Sequence, residues 1–498
     1  MSLASAAAPR LGWPTKMLYG VGALATSTKM QLMGLVLFFY NQLVGLNPGA
    51  VSLALFLALF VDAFWDPIVG QMSDNTRTRW GRRHPYMYAA ALPASLAFAA
   101  IFIPPLGASN AVLFVYLLVA VVTSRMFDSL VEIPSNALAP ELTRNYDERT
   151  SLGAWRFFFL SAVGRAISQV LAFYVFLRGT KTQRFGQFNL AGYEPLALTI
   201  AAICLVAILV SALATQRFAP FMHQPARRQP SFGVMAREFA VAVTHRNFVA
   251  LAFSGFVFGI AIGISQGLLT YFNTYFWELP SAALGQLGLW LIPGGLAGVV
   301  IAPFAARRLG KKPACLITFF AGIFSTTVPI SLRLLGVMPP NASPWVLRIL
   351  ILDQVAIGLL SSIGFVIVTS MLADVVEEVQ VKTGRRAEGV LFAADSLLRK
   401  FSASFAVALP GLLLNVVKFP RHATPGHVPP GVLTHLAQIY LPLITVLYLC
   451  STSLLMLYRG DRRRHEANLE KIAQAAALAE TTDQDLTPHP APETLGGA

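Results

Sequence analysis

The stretch VSLALFLALFVDAFWDPIVGQMSDNTRTRWGRRHP, residues 51–85, decides the fold class. Its first part belongs to an apolar run over 50–72, enough to cross a hydrocarbon layer of roughly 30 Å, which takes about 20 helical residues. It then turns abruptly polar, with arginines at 77, 79, 82 and 83. Between these two parts stand Asp62 and Asp66, four apart and so on one helix face. An acid at that depth is expensive and is a functional candidate by default. An apolar helix that carries paired acids and ends in a basic loop reads as one span of a polytopic membrane protein.

The same texture repeats outward in both directions. Apolar runs of spanning length are predicted at 17–42, 50–72, 86–105, 110–135, 151–177, 190–214, 248–277, 283–305, 314–336, 345–373, 387–415 and 434–458. Strand-length alternation is absent, which argues against a transmembrane barrel. The longest interruption divides the runs into two sets of six. The expected fold is therefore all-α and polytopic, with twelve transmembrane helices in two pseudo-symmetric six-helix bundles. A cytoplasmic N-terminal segment (1–16) precedes the first bundle (17–214); a cytoplasmic central loop (215–247) precedes the second (248–458). A cytoplasmic tail (459–498), mixed in charge and then Pro/Thr-rich, is expected to be disordered beyond one helical stretch. Residues 1–16 hold no apolar run, so no signal peptide is expected.

Composition agrees. Of 498 residues 55% are hydrophobic and only 12% charged, about half the usual share of roughly 25%, and mean hydropathy is +0.60. A cytosolic enzyme, a disordered regulator and a disulfide scaffold are excluded, the last because there are three cysteines. The net charge of +14 raises the question of nucleic acid, but the basic residues sit in short loops between spans. With both termini inside, 25 of the 38 Lys and Arg fall on cytoplasmic segments and seven on outer ones, the bias that orients membrane proteins. The halves also echo each other: WGRRHP (80–85) follows the second span and LGKKP (309–313) follows the eighth, as in a duplicated transporter.

Ionisable residues inside the spans nominate the site. Asp62 and Asp66 offer oxygen ligands to a hard cation such as Na⁺, or share a proton, since neighbouring carboxylates raise one another's affinity for it; a structural network is the alternative. In span 4, Arg125, Asp128 and Glu132 share a face, with an internal Arg125–Asp128 salt bridge expected. Glu132 precedes Pro134, where the helix loses a backbone hydrogen bond, and is the candidate group shared by ion and substrate. Arg156 in span 5 brings a planar fork of donors suited to sugar hydroxyls or to Glu132, or else only neutralises the acids. Arg165 lies further along. In span 11 Asp395 and Arg399 form an i,i+4 pair, while Lys400 faces the cavity acids or snorkels to an interface. Arg82 and Arg83 anchor a loop against acids such as Asp74 and Glu141 or against lipid headgroups. The run YFNTYFW (271–277) is expected in an interfacial aromatic belt; the alternative has Tyr271 or Asn273 lining a vestibule. No Walker loop, dinucleotide-binding glycine motif or catalytic constellation is found, so no enzyme is expected.

Several ordered blocks resemble the glycoside–pentoside–hexuronide:cation symporter family, melibiose-permease-like members of the major facilitator superfamily. They are YGVGA (19–23), DAFWDPIVGQMSDNTRTRWGRRHP (62–85), EIPSNALAPEL (132–142), DERTSLGAWRFFF (147–159), MLADVVEE (371–378) and TGRRAEG (383–389), within about 16–458. The resemblance implies a cation site at Asp62 and Asp66 with hydroxyls at Ser129 and Ser396. It implies an acid shared with sugar at Glu132, a sugar-binding arginine at Arg156 and a coupling lysine at Lys400. Arg149 joins Asp74, Arg82, Arg83 and Glu141 as a candidate cytoplasmic gate or loop group. Two positions depart: where the melibiose permease has a sugar-anchoring Asp and a stacking Trp, this chain has Ser27 and Asn136. Both changes weaken a galactoside assignment.

The expected function is secondary active symport of a sugar or glycoside with Na⁺ or H⁺ by alternating access, in a bacterial inner membrane. No cofactor beyond the coupling ion is expected. The expected partners are a small-molecule substrate, the cation and membrane lipid; no nucleic acid and no obligate protein partner are expected. The alternatives are a cation-coupled carrier of a lysophospholipid or other non-sugar solute, separated by a substrate screen, and a non-transporting sensor or assembly protein, separated by saturable binding without flux.

Overall fold

A computed structural model describes residues 11–143, 145–221, 245–383 and 388–460. Most of the predicted central loop, Arg385 and Arg386, and nearly all of the tail lie outside the described residues. Within them every regular element is helical: α1 (Trp13–Val21), α2 (Ala23–Phe38), α3 (Pro48–Asn75), α4 (His84–Ala100), α5 (Asn110–Leu142), α6 (Tyr146–Phe158), α7 (Gly164–Val170) and α8 (Leu190–Gln216) in the first half. The second half holds α9 (Arg246–Tyr271), α10 (Ser281–Leu309), α11 (Lys311–Leu334), α12 (Pro344–Thr383), α13 (Glu388–Val416) and α14 (Pro430–Met456). π-helical turns extend or join several of them, at Phe39–Val44, Phe159–Val163, Leu171–Phe176 and Phe272–Phe276.

Eleven helical segments among the described residues are long and apolar enough to cross a membrane. Many apolar side chains, among them Val300, Phe304, Leu352 and Phe365, point outward, a surface that only lipid covers favourably. The chain is an all-α, multi-pass integral membrane protein. The run predicted at 86–105 is shorter as a helix, because α4 spans 17 residues and ends in a turn after Ala100. Other helices overrun their predicted spans: α5 has 33 residues and α12 has 40, so at 1.5 Å per residue both extend beyond a roughly 30 Å core.

Local chemistry sets several starts. Asn47 Oδ1 accepts from the backbone N–H of Gly49 and Ala50, with Pro48 opening α3; Asn145 caps Asp147 and Glu148 likewise. These are the positions where free helix N–H groups need an acceptor and proline costs nothing.

At the end of the molecule carrying the 76–83 loop, called here the basic end, each half is tied by ion pairs. Arg82 Nη2 and Arg83 Nη2 meet Glu141 at 2.7 and 3.0 Å, and Arg83 also meets Asp74 at 2.5 Å. In the second half, Lys311 reaches Asp374 of α12 at 2.6 Å. In both halves a basic residue that follows one helix closely is pinned to a later helix.

At the opposite end the two halves are bonded to each other. Gln42 Oε1 accepts from Tyr275 Oη at 2.8 Å and from the Ala423 N–H at 2.9 Å, while its Nε2 donates to the Pro420 carbonyl at 3.1 Å. Tyr271 donates to Asn41 at 2.9 Å, and Asn415 to Asn47 at 3.0 Å. The run 271–277 is therefore no interfacial belt: every residue from Tyr271 to Trp277 is buried, with Tyr271 and Tyr275 packed on Phe38 and Phe419. Aromatics near a span end suit a wet interface or a tertiary contact equally well, and here the tertiary contact wins.

Candidate functional site

Midway along α3, Asp62 is buried and committed on both oxygens. Its Oδ2 accepts from Arg125 Nη2 at 2.8 Å and from Lys400 Nζ at 2.9 Å. Its Oδ1 lies 3.0 Å from Ser129 Oγ. Lys400 also pairs with Asp66, so a lysine of the second half bridges two acids of the first. Ser129 Oγ approaches Asp66 Oδ1 at 2.6 Å and the Arg125 carbonyl at 3.1 Å as well. A hydroxyl owns one proton; it cannot serve all three acceptors at once. Two carboxylate oxygens and a hydroxyl oxygen thus converge with a shortage of positive hydrogen between them, an arrangement chemically suited to a small hard cation or an added proton.

The expected Arg125–Asp128 bridge does not form. Arg125 turns to Asp62 on α3, and Asp128 accepts from Lys29 Nζ on α2 at 2.5 Å. Lys29 also donates to the Ala94 carbonyl at 3.0 Å and is buried beside the Phe98 ring. The physical reason is reach: each side chain finds an oppositely charged partner on a neighbouring helix, which also joins the helices in a medium without water to do so. Lys29 is the residue that sequence reasoning passed over. Its signal was present, since it is a lysine inside the first span and belongs to the class that earns scrutiny there.

Beside this network lies a cavity of about 470 Å³ between the halves. Glu132 and Arg156 both line it. Arg156 Nη1 donates to Ser135 Oγ at 3.0 Å and lies 3.4 Å from Tyr19 Oη. Glu132 makes no hydrogen bond among the described residues, and it lines the same cavity as Arg156. Most of the wall is apolar, with Met30, Met33, Leu37, Leu59 and Val407 among its residues. Around Asp62, Asp66, Asp128 and Glu132 stand four cations, Lys29, Arg125, Arg156 and Lys400, and this cluster is charge-balanced.

The remaining candidates are dispersed. Ser27 is buried against α7, donating to the Leu160 carbonyl at 2.5 Å and filling the space above Gly164; Thr26 and Lys29 line the cavity in its stead. Asn136 and Ser396 are exposed, Ser396 one turn before Lys400. Asp395 and Arg399 pair with each other at 2.6 Å. Asp74, Arg82, Arg83 and Glu141 form the basic-end cluster described above, with Arg149 exposed at the start of α6. Among the described residues no group of three or more His, Cys, Asp or Glu side chains is arranged to hold a metal ion.

The MFS/sugar transport protein family matches residues 18–462. The chain is similar to the isoprimeverose transporter of Lactiplantibacillus pentosus, 26% identical over 477 residues covering 94% of each chain. A putative glycoside/cation symporter of Escherichia coli is 24% identical over 472 residues, covering 94% of this chain and 97% of its own. Among solved structures, a mutant of the nucleoside transporter NupG superposes with a TM-score of 0.59 at 14% identity, covering 88% of this chain and 99% of that one; this likeness concerns the fold.

Proposed function

The chain belongs to the MFS/sugar transport protein family, making it a membrane transporter rather than an enzyme, and on that premise we propose that it couples an inward cation gradient to uptake of a sugar or glycoside. In this reading twelve spans form two six-helix bundles in a bacterial inner membrane with both termini cytoplasmic. The observation that carries it is the Lys400 bridge to Asp62 and Asp66 at the edge of the cavity. A cation entering among the Asp62, Asp66 and Ser129 oxygens competes with the ammonium group of Lys400. Because Lys400 belongs to the other half, that exchange changes what holds the halves together. Substrate occupies the adjacent cavity against Glu132, Arg156 and Lys29. Glu132 accepts hydroxyl protons, the two cations donate, and cation and substrate strengthen each other's binding by linkage.

The apolar cavity wall supports a second reading, a solute with a substantial apolar portion: an aryl or alkyl glycoside, or a lysolipid. The first test is uptake into proteoliposomes of a mixture of labelled glycosides, pentosides and hexuronides under an inward Na⁺ gradient, an inward H⁺ gradient or none. Gradient-dependent accumulation identifies ion and sugar class together. Absence of accumulation by folded protein counts against sugar symport and moves the screen to lysolipids. Asp62→Asn is expected to abolish accumulation while sparing exchange; equal accumulation by that variant at matched expression refutes the coupling role.

A further inference from the structure

We propose that Arg165 and a ring of amides contributed by both halves bind an oxyanion, a carboxylate or sulfonate carried on the substrate, in a small cavity next to the main one. The cavity measures about 90 Å³ and shares Gly34 and Gln266 with the larger one, so one elongated ligand reaches both. Its polar lining comprises Arg165, the amide residues Gln31, Gln169, Gln266, Asn273 and Gln354, and the hydroxyl residues Ser168 and Thr270. Among the described residues Arg165 has no ion pair and no hydrogen bond, and none of those five amides makes a side-chain hydrogen bond. The Gln169 Oε1 atom is buried without a partner.

An arginine at membrane depth is costly and is ordinarily paired. The charge-balanced cluster around Asp62 leaves no acid to spare for Arg165, and Asp353 of α12 is hydrogen-bonded to Ser325 at 2.6 Å. A guanidinium offers a planar fork that two oxygens of one carboxylate or sulfonate match. Neutral amides complete such a site without competing for the arginine, as an acid would.

The fold explains the placement. Arg156 and Arg165 are nine residues apart and would face opposite sides of a straight α-helix. The π turn Phe159–Val163 between them under-winds the chain, and each arginine lines a cavity between the halves. On the far wall Gly288 leaves no room for a Cβ beside the Gln169 amide, which brings α10 close. An anion bound here touches both halves on the side where they are already joined.

This inference rests on the transporter reading, and its test needs no gradient. Binding of 4-nitrophenyl β-D-glucuronide and 4-nitrophenyl β-D-glucoside to the detergent-purified full chain is measured by calorimetry and thermal shift, with sodium sulfate and phosphatidylglycerol as separate arms. The wild type is expected to bind the acid roughly tenfold more tightly than its neutral counterpart. Arg165→Gln collapses that ratio to near one and Arg165→Lys restores part of it. Gln169→Leu narrows it several-fold, an independent reading should Arg165→Gln fail to fold. A wild-type ratio near one, binding of neither sugar, or a ratio that survives Arg165→Gln overturns the proposal. So does sulfate or lipid alone reproducing the full shift, which identifies a free-anion or headgroup site. A preserved acid preference without gradient-driven uptake counts against symport alone, whereas uptake of neutral glycosides without any acid preference counts against this site alone.

Discussion

At the scale of single residues, Lys400 occupies the place that the proposed function gives to a coupling ion. Its ammonium meets Asp62 and Asp66 of α3, and Asp62 also has Arg125. Lys400→Gln leaves Asp66 without its cation, so cation affinity is expected to rise roughly tenfold, about 1.4 kcal/mol; cation-dependent thermal shift reads this directly. Uptake driven by the gradient is expected to fall at the same time, because the link from cation site to second half is gone. A separate prediction concerns His84, at the start of α4 and ahead of the predicted span 86–105. It is fully buried, its Nε2 lies 3.0 Å from Thr215 Oγ1, and its Nδ1 has no partner among the described residues. Burial pushes its pKa down to about 4, below an unfolded value of about 6.5. The unfolded chain then binds the proton first, so the stability is fully present above about pH 6.5 and drains away as pH falls toward 4. The loss at pH 5 is roughly 2 kcal/mol. Melting curves of the purified protein should show a smaller drop between pH 7 and pH 5 for His84→Asn than for the wild type.

Among elements, close packing in a membrane relies on small residues, since lipid tails remove the hydrophobic drive between helices. Gly294 and Gly298 of α10 lie against the Val355 and Leu359 carbonyls of α12, and Gly358 of α12 lies against the Leu291 carbonyl. A leucine at Gly298 has nowhere to go but into backbone. Overpacking of this kind costs about 1–3 kcal/mol or more. Gly298→Leu is expected to lower the melting temperature and the yield of monodisperse protein, whereas Gly255→Ala, where a Cβ meets open space, should leave both unchanged. The π turns act at the same scale: by altering helical phase they decide which polar side chains of one helix reach a cavity.

Across the whole molecule, hydrogen bonds between halves among the described residues gather at the end opposite the basic loops, with Gln42 as their hub. Each such bond contributes about 0.5–1.5 kcal/mol net. Gln42→Leu removes those to Tyr275, Ala423 and Pro420 together, which is expected to shift the equilibrium toward opening of that end by tenfold or more. Labelling of a single cysteine introduced at Met30 in the cavity, by an impermeant thiol reagent added from that side, should accelerate accordingly. An unchanged labelling rate would show that these bonds do not hold the end shut.

How much of this was legible in advance follows the range of the forces involved. Membrane spans and the acids within them depend on local composition and on periodicity along one helix, and both are written in the chain; that Glu132 and Arg156 share a region was implied by the family resemblance and not by spacing. Apolar length must match a bilayer, and a charge inside it must find a purpose, whatever its neighbours are. Partner choice is different. That Arg125 leaves Asp128 for Asp62, that Lys29 takes Asp128, that Ser27 faces α7 instead of the cavity, and that 271–277 joins two halves instead of meeting lipid headgroups all depend on helix rotation and on which helices touch. π turns reset that rotation, and neighbours hundreds of residues away supply those contacts. The sequence by itself determined a bundle of membrane-crossing helices carrying buried charge; tertiary packing alone decided how those charges pair, because pairing is settled by distances across helices that no spacing along the chain encodes.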